Sequence, residues 1–201
     1  VSSISSKDVA ILRDKTGLGM MDCKRALEAT EGNFEKAEEY LRIKGIAKGE
    51  SRTGRSAGQG VVASYIHPGG RIGVLIEIAC ETDFVARNDE FLNMVHDLAM
   101  QVAAAVPAVP LAVKREDVPA EKVEKELEIY RAQIIEEGKP TAIAEKIAKG
   151  KIDKFYQDVC LLEQPFVKDP KMKVGDVVLE MAGKLKENIQ VRRFVRFTLG
   201  E

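Results

Sequence analysis

The sequence predicts an α+β protein: a three-helix unit over residues 1–45, a linker over 46–60, and over 61–201 a core of helices packed on a small antiparallel three-stranded sheet. Three patterns carry this reading. Apolar residues recur at helical steps through the first 45 residues and again in four later segments. Strict alternation marks two runs joined by HPGG and one closing run. Between the helical start and the first alternating run, RIKGIAKGESRTGRSAGQG has no period and is rich in Gly and Ser.

In chain order, Ser5 or Ser6 caps a first helix whose inner side is Val9 and Leu12, with Ile11 beside them, and Gly17 ends it. A second helix runs from about Gly19 to Thr30. Its Met21, Cys23, Ala26 and Leu27 can face inward, while Asp22, Lys24, Arg25 and Glu28 face water. Met20 and Met21 suit either core packing or display, since a flexible thioether serves both. Asn33 caps a third helix carrying Phe34, Ala37, Tyr40 and Leu41. The basic, Gly-rich stretch that follows reads as a solvated hinge with few contacts crossing it.

The core opens as a hairpin in which Ile72, Val74, Ile76 and Ile78 form the buried face of the return strand. Phe91, Val95, Leu98 and Val102 then define the inner stripe of a helix that starts near Asp89. A short extended piece is expected at Leu111 to Val113. Helices are expected from Ala120 to Glu136, from Thr141 to Leu161 with Ile143, Ile147, Phe155 and Val159 on one side, and from Val174 to Leu185. The closing strand, Ile189 to Leu199, alternates Val191, Val195, Phe197 and Leu199 against Arg192, Arg196 and Thr198.

Composition narrows the function classes. Lys and Arg number 31 against 32 Asp and Glu, so no overall charge draws the chain to nucleic acid or anionic lipid. No apolar run is long enough for a bilayer and no signal-peptide pattern opens the sequence, which predicts a cytoplasmic protein. Cys23, Cys80 and Cys160 lack the spacing of a disulfide framework or a zinc site and read as reduced and buried. With only His67 and His96, no histidine-based metal or catalytic cluster is expected, and neither a P-loop nor an acid, base and nucleophile set is present. Gly17 and Gly19 alone are weak grounds for an anion site.

The stretch that carries chemistry is ETDFVARNDEF, Glu81 to Phe91, at the corner between the most strand-like run and the most periodic helix. Such corners project side chains from a packed base. Phe84 has two readings there: it folds back into the core, or it stands out as a contact. The stretch resembles a signature of bacterial elongation factor Ts. TGLGMMDCKRALEAT (16–30) resembles that family's other signature, with Leu18 where Ala is usual. SYIHPGGRIGVLIE (64–77), CLLEQPFVKD (160–169) and ENIQVRRFVRFTLGE (187–201) also match in order, and Lys186 stands where Gly is usual.

The resemblance implies a ubiquitin-associated type of docking domain at the start. It also implies a guanine-nucleotide exchange factor, without covalent chemistry, cofactor or metal of its own, that acts on elongation factor Tu bound to GDP. The exchange corner would be Thr82, Asp83, Phe84, Val85, Ala86, Arg87 and Asn88. Docking would use Leu12, Met20, Met21 and Lys24. Because the core features occur once here and twice in longer relatives, two chains are expected to pair, covering a sheet edge and giving a two-plus-two complex, with no membrane or direct nucleic-acid contact. Two rivals remain: an RNA binder using Arg192, Arg193 and Arg196 with the basic linker, and a thiol enzyme using Cys23.

Overall fold

The computed structural model describes residues 4–138 and 140–201. Helix α1 (Ser6–Thr16) starts in a reciprocal cap: the Ser5 hydroxyl accepts from the Asp8 N–H and the Asp8 carboxylate accepts from the Ser5 N–H. It ends at Gly17, whose φ of 66° is the left-handed turn that a residue without Cβ adopts freely. Helix α2 (Met20–Ala29) and helix α3 (Phe34–Glu50) follow, the latter capped by the Asn33 side chain on the Lys36 N–H. Val9, Leu12, Cys23, Ala26, Leu27, Ala37 and Leu41 close a small core of their own. Ile11 and Met21 lie outside it, exposed.

The first difference from expectation is at the hinge. Helix α3 continues through residues 46–50, and its Gly45 and Gly49 are buried. They press against helix α8 (Val174–Leu185), where a Cβ built on Gly49 would stand 2.0 Å from the Leu179 carbonyl oxygen and one on Gly183 would stand 2.2 Å from that of Gly45. Glycines that read as breakers are therefore the contact that lets two backbones touch. Of residues 46–60, only Ser51 to Gly58 lie outside helix and strand, and that stretch too is held, by Asn188 and Arg192 side chains donating to the Arg55 and Ala57 carbonyls.

Strands β1 (Gln59–Ile66) and β2 (Ile72–Cys80) form the expected hairpin, and β5 (Gln190–Thr198) pairs antiparallel with β2 on its other side. Val74, Ile76 and Ile78 point inward onto helix α5 (Asp89–Ala104), whose Phe91, Val95, Leu98 and Val102 are all buried, and onto α8. The closing strand departs from plain alternation. Its register slips where Glu77 faces Arg193 but Ile78 faces Val191, leaving Arg192 as the extra residue of a bulge. Beyond the bulge the faces exchange. Phe194 packs against the core and Arg196 turns inward, its side chain only 11% exposed, while Val195, Phe197 and Leu199 face out.

Helices α6 (Ala120–Glu136) and α7 (Thr141–Val159) form a hairpin closed by Ile134 and Ala148, and α7 runs through Gly150 without a break. The Ile143 side chain lies outside the described residues. The expected extended piece is a single bridge, Ala112 to Cys160. A short two-stranded ribbon, β3 (Pro165–Phe166) and β4 (Asp169–Lys173), was not expected.

At the hairpin base Arg115 donates to both oxygens of Glu163, reaches Asp153 at 2.8 Å, and lies over the Tyr156 ring. The Arg115 hydrogen bonds hold the Glu163 carboxyl below the usual carboxylate range. A carboxyl depressed on folding stabilises the fold above its unfolded pKa and loses that contribution as pH falls through the folded one. Glu163→Gln is therefore expected to cost about 1 kcal/mol at pH 7, the part-exposed guanidinium moderating the effect. The gap to wild type should close below about pH 4, read as melting temperature against pH.

Candidate functional site

The corner between β2 and α5 is built from its ends inward. Thr82 caps a single helical turn, α4 (Asp83–Ala86), its hydroxyl oxygen accepting from the Val85 N–H at 3.4 Å. Asn88 caps α5, its side-chain oxygen accepting from the N–H groups of Glu90 at 2.8 Å and Phe91 at 3.3 Å. Ala86 is buried and Val85 packs against the core, beside the fully buried Phe91. With those four residues committed to structure, Asp83, Phe84 and Arg87 are left facing out.

Phe84 is 83% exposed, which decides between its two sequence readings in favour of display. Asp83 and Arg87 pair beside it at 3.1 Å, Arg87 largely in water and Asp83 half so. Burying one such ring against another surface is worth about 1.5 to 3 kcal/mol, a gain this chain does not take for itself.

The second patch is the start of α2. Met20 and Met21 are 52% and 62% exposed and Lys24 is exposed beside them. Leu12 is a correction: it has no exposed surface and sits at the centre of the three-helix core, because α1 turns the Val9 and Leu12 side inward. Gly17 and Gly19 serve as the end of one helix and the start of the next.

A match to the family model for elongation factor Ts covers residues 5–201. The chain belongs to the elongation factor Ts family. It is similar to the elongation factor Ts of Carboxydothermus hydrogenoformans, 57% identical over 198 residues, covering 98% of this chain and 90% of that protein. The same holds for that of Anaeromyxobacter dehalogenans strain 2CP-1, 57% identical over 201 residues, 100% of this chain and 90% of that one. With that of Solidesulfovibrio magneticus it shares 52% over 201 residues, 100% and 99% of the two chains. Membership of elongation factor Ts places the chain among translation elongation factors. No helix among the described residues is long and apolar enough to cross a membrane.

The geometry is unkind to both rivals. Arg192 donates to the Ala57 carbonyl, Arg193 pairs with Glu77 in solvent, and Arg196 turns to the inner side of the sheet, so the three arginines do not share one outer face. Cys23 is fully buried; burial pushes the Cys80 thiol up and holds that of Cys160 up at about 11, which disfavours thiolates.

One neighbour of the corner escaped the sequence reading. The Glu187 carboxylate accepts from the Glu81 and Thr82 N–H groups at 3.0 Å each and from the Thr82 hydroxyl at 2.5 Å. It stands in the turn after α8, where Lys186 takes the left-handed conformation, φ 61°, that a Gly would adopt without strain. A side chain more than 100 positions from its partners leaves no periodic trace in a single sequence.

Proposed function

We propose that the chain is a guanine-nucleotide exchange factor for elongation factor Tu, binding its GDP form and loosening the nucleotide. The observation that carries this is Phe84 held in solvent on a capped, packed turn. Phe84 wedges between side chains of the partner, and Asp83 perturbs the water and side-chain shell around the partner's magnesium. Weakening the hold on that ion takes positive charge from the diphosphate, so GDP leaves more readily. The start of α2, with Met20, Met21 and Lys24, supplies docking. Coupling is reciprocal: if the factor weakens nucleotide binding, nucleotide weakens the factor's binding by the same ratio, and incoming GTP expels it. No bond is made or broken, no cofactor is needed, and the setting is the cytoplasm. Timed release of labelled GDP from elongation factor Tu, with and without this chain, tests the reading; release no faster than the partner's own rate would reject it.

The chain is proposed to act as a homodimer in a two-plus-two complex. What supports this is the outer face of the sheet, rather than its edge. Val62 and Ile66 on β1, Leu75 on β2, and Val195 and Phe197 on β5 form a contiguous exposed apolar surface. Two such faces can stack at sheet-packing distance. Phe197→Asp, with Phe197 66% exposed, is expected to leave the fold intact and convert a dimer to a monomer in light scattering at micromolar concentration. A wild-type chain that is already monomeric there would overturn the assembly.

A further inference from the structure

We propose that Glu187 is the positioning residue of the exchange corner: its carboxylate fixes where Phe84 stands. The inference rests on the exchange reading above and supplies what aims the ring. Helix α4 has four residues, one turn, too short to be stable by itself. Its single capping bond to Val85 is long. Val85 and Ala86 seat its inner side on the core, and its entry is held from outside the corner.

Glu187 fits that need in number and direction. A carboxylate only accepts, with two oxygens. One takes both backbone N–H groups at the entry to the turn, Glu81 and Thr82, and the other takes the Thr82 hydroxyl. Charge-assisted bonds of this kind are the strong class. The grip is returned: the Glu81 carboxylate accepts from the Asn188 N–H at 2.6 Å and lies 3.6 Å from the Arg55 guanidinium. The buried Asn188 in turn donates its side-chain amide to the Arg55 carbonyl at 2.6 Å. The turn after α8 and the turn before α4 thus clasp each other through adjacent residues on both sides. Underneath, the Cys80 thiol donates to the Thr82 carbonyl at 3.1 Å, so the cap residue is held at its N–H, its hydroxyl and its carbonyl. Phe84, 83% exposed, lies two residues beyond this point. Its position is set from below by Val85 and Ala86 on the core and, at the entry to the turn, by Thr82 and the Glu187 carboxylate that holds it.

Placement matters for a wedge because a small displacement of a contacting group costs rate far out of proportion to the bonds lost. Removing the carboxylate should therefore slow exchange in the assembled complex more than it weakens assembly, since docking through Met20 and Met21 is elsewhere. The test is stopped-flow release of labelled GDP from elongation factor Tu over a range of factor concentrations. It uses wild type, Glu187→Ala, Glu187→Gln and Phe84→Ala, with amide hydrogen exchange of the free proteins.

Glu187→Ala is expected to lower the saturating release rate about tenfold, to shift the half-saturating concentration by less than threefold, and to speed amide exchange across residues 82–87. Glu187→Gln should recover most of the rate, because its amide oxygen can accept both N–H groups and its NH2 can donate to Thr82. Unchanged amide protection in Glu187→Ala, or a normal saturating rate per folded molecule with only a lower melting temperature, would overturn the proposal. Equal losses in the Gln and Ala variants would also overturn it. Should Glu187→Ala not fold, Thr82→Val, which removes the hydroxyl end of the clasp, takes its place with a smaller expected loss; a normal rate there counts against the proposal. If Phe84→Ala also exchanges at the wild-type rate, the exchange reading itself has failed. If Phe84→Ala is slow and Glu187→Ala is not, only the positioning role falls.

Discussion

Phe84→Ala is expected to leave the melting temperature nearly untouched while slowing nucleotide exchange severely. With the ring 83% exposed, its removal takes almost nothing from the core. A surface truncation of this kind changes stability by no more than about 0.5 kcal/mol, whereas a buried Phe would cost about 3 to 5 kcal/mol. At an interface the same ring is an aromatic anchor, and truncating one commonly costs about 2 kcal/mol or more, roughly thirtyfold in the stability of the exchange complex. Asp83→Ala should act more mildly, because it empties no pocket. The two measurements are a thermal melt and GDP release under one buffer. A variant that melts far lower yet, where folded, exchanges at the normal rate would contradict the wedge.

The second large effect is expected where no contact with a partner is involved. Ala in place of Gly inside a helix ordinarily stabilises, by about 1 kcal/mol. Gly150→Ala in the middle of α7 should follow that rule, since a Cβ there meets nothing within 4 Å. Gly183→Ala should reverse it. Its Cβ would lie 2.2 Å from the Gly45 carbonyl oxygen, a backbone atom that can yield only if α3 and α8 separate. Overpacking of this kind costs about 1 to 3 kcal/mol, occasionally more. For a chain of this size the upper figure is about 10 °C in melting temperature. Opposite signs for one substitution on two helices would verify the contact; equal stabilisation at both sites would dismiss it.

That contact also marks where sequence reasoning stops. The hairpin, the α5 stripe and the limits of α6 and α8 were legible because a period of 2 or 3.6 is written along the chain by burial itself. The corner was legible for the same reason, as the place where one period hands over to the other. Gly45 and Gly49 were misread because a glycine that breaks a helix and a glycine that admits a second backbone are one letter, and only the neighbouring helix distinguishes them. Leu12 was placed on the inner side of its helix by its spacing, as the structure has it; only the docking role implied by the resemblance set it at the surface. Val195, Phe197 and Leu199 exchanged faces with Arg196 because alternation is counted from one end, and a single bulged residue at Arg192 resets the count silently. Val85 and Ala86, singled out with the corner, prove to be its footing, whereas Phe84 is its point.

The glycine seam between α3 and α8 has a further consequence for recognition. A supple hinge would have let the α2 methionines and Phe84 find their places on a partner independently, at an effective concentration set by chain statistics. With α3 running unbroken to Glu50 and seated against α8, the separation between those two points is set in advance, like the jaws of a locked caliper. If those two points are the contacts proposed above, little entropy is lost when the second engages, and a protein whose two receptive spots are spaced differently is refused by geometry.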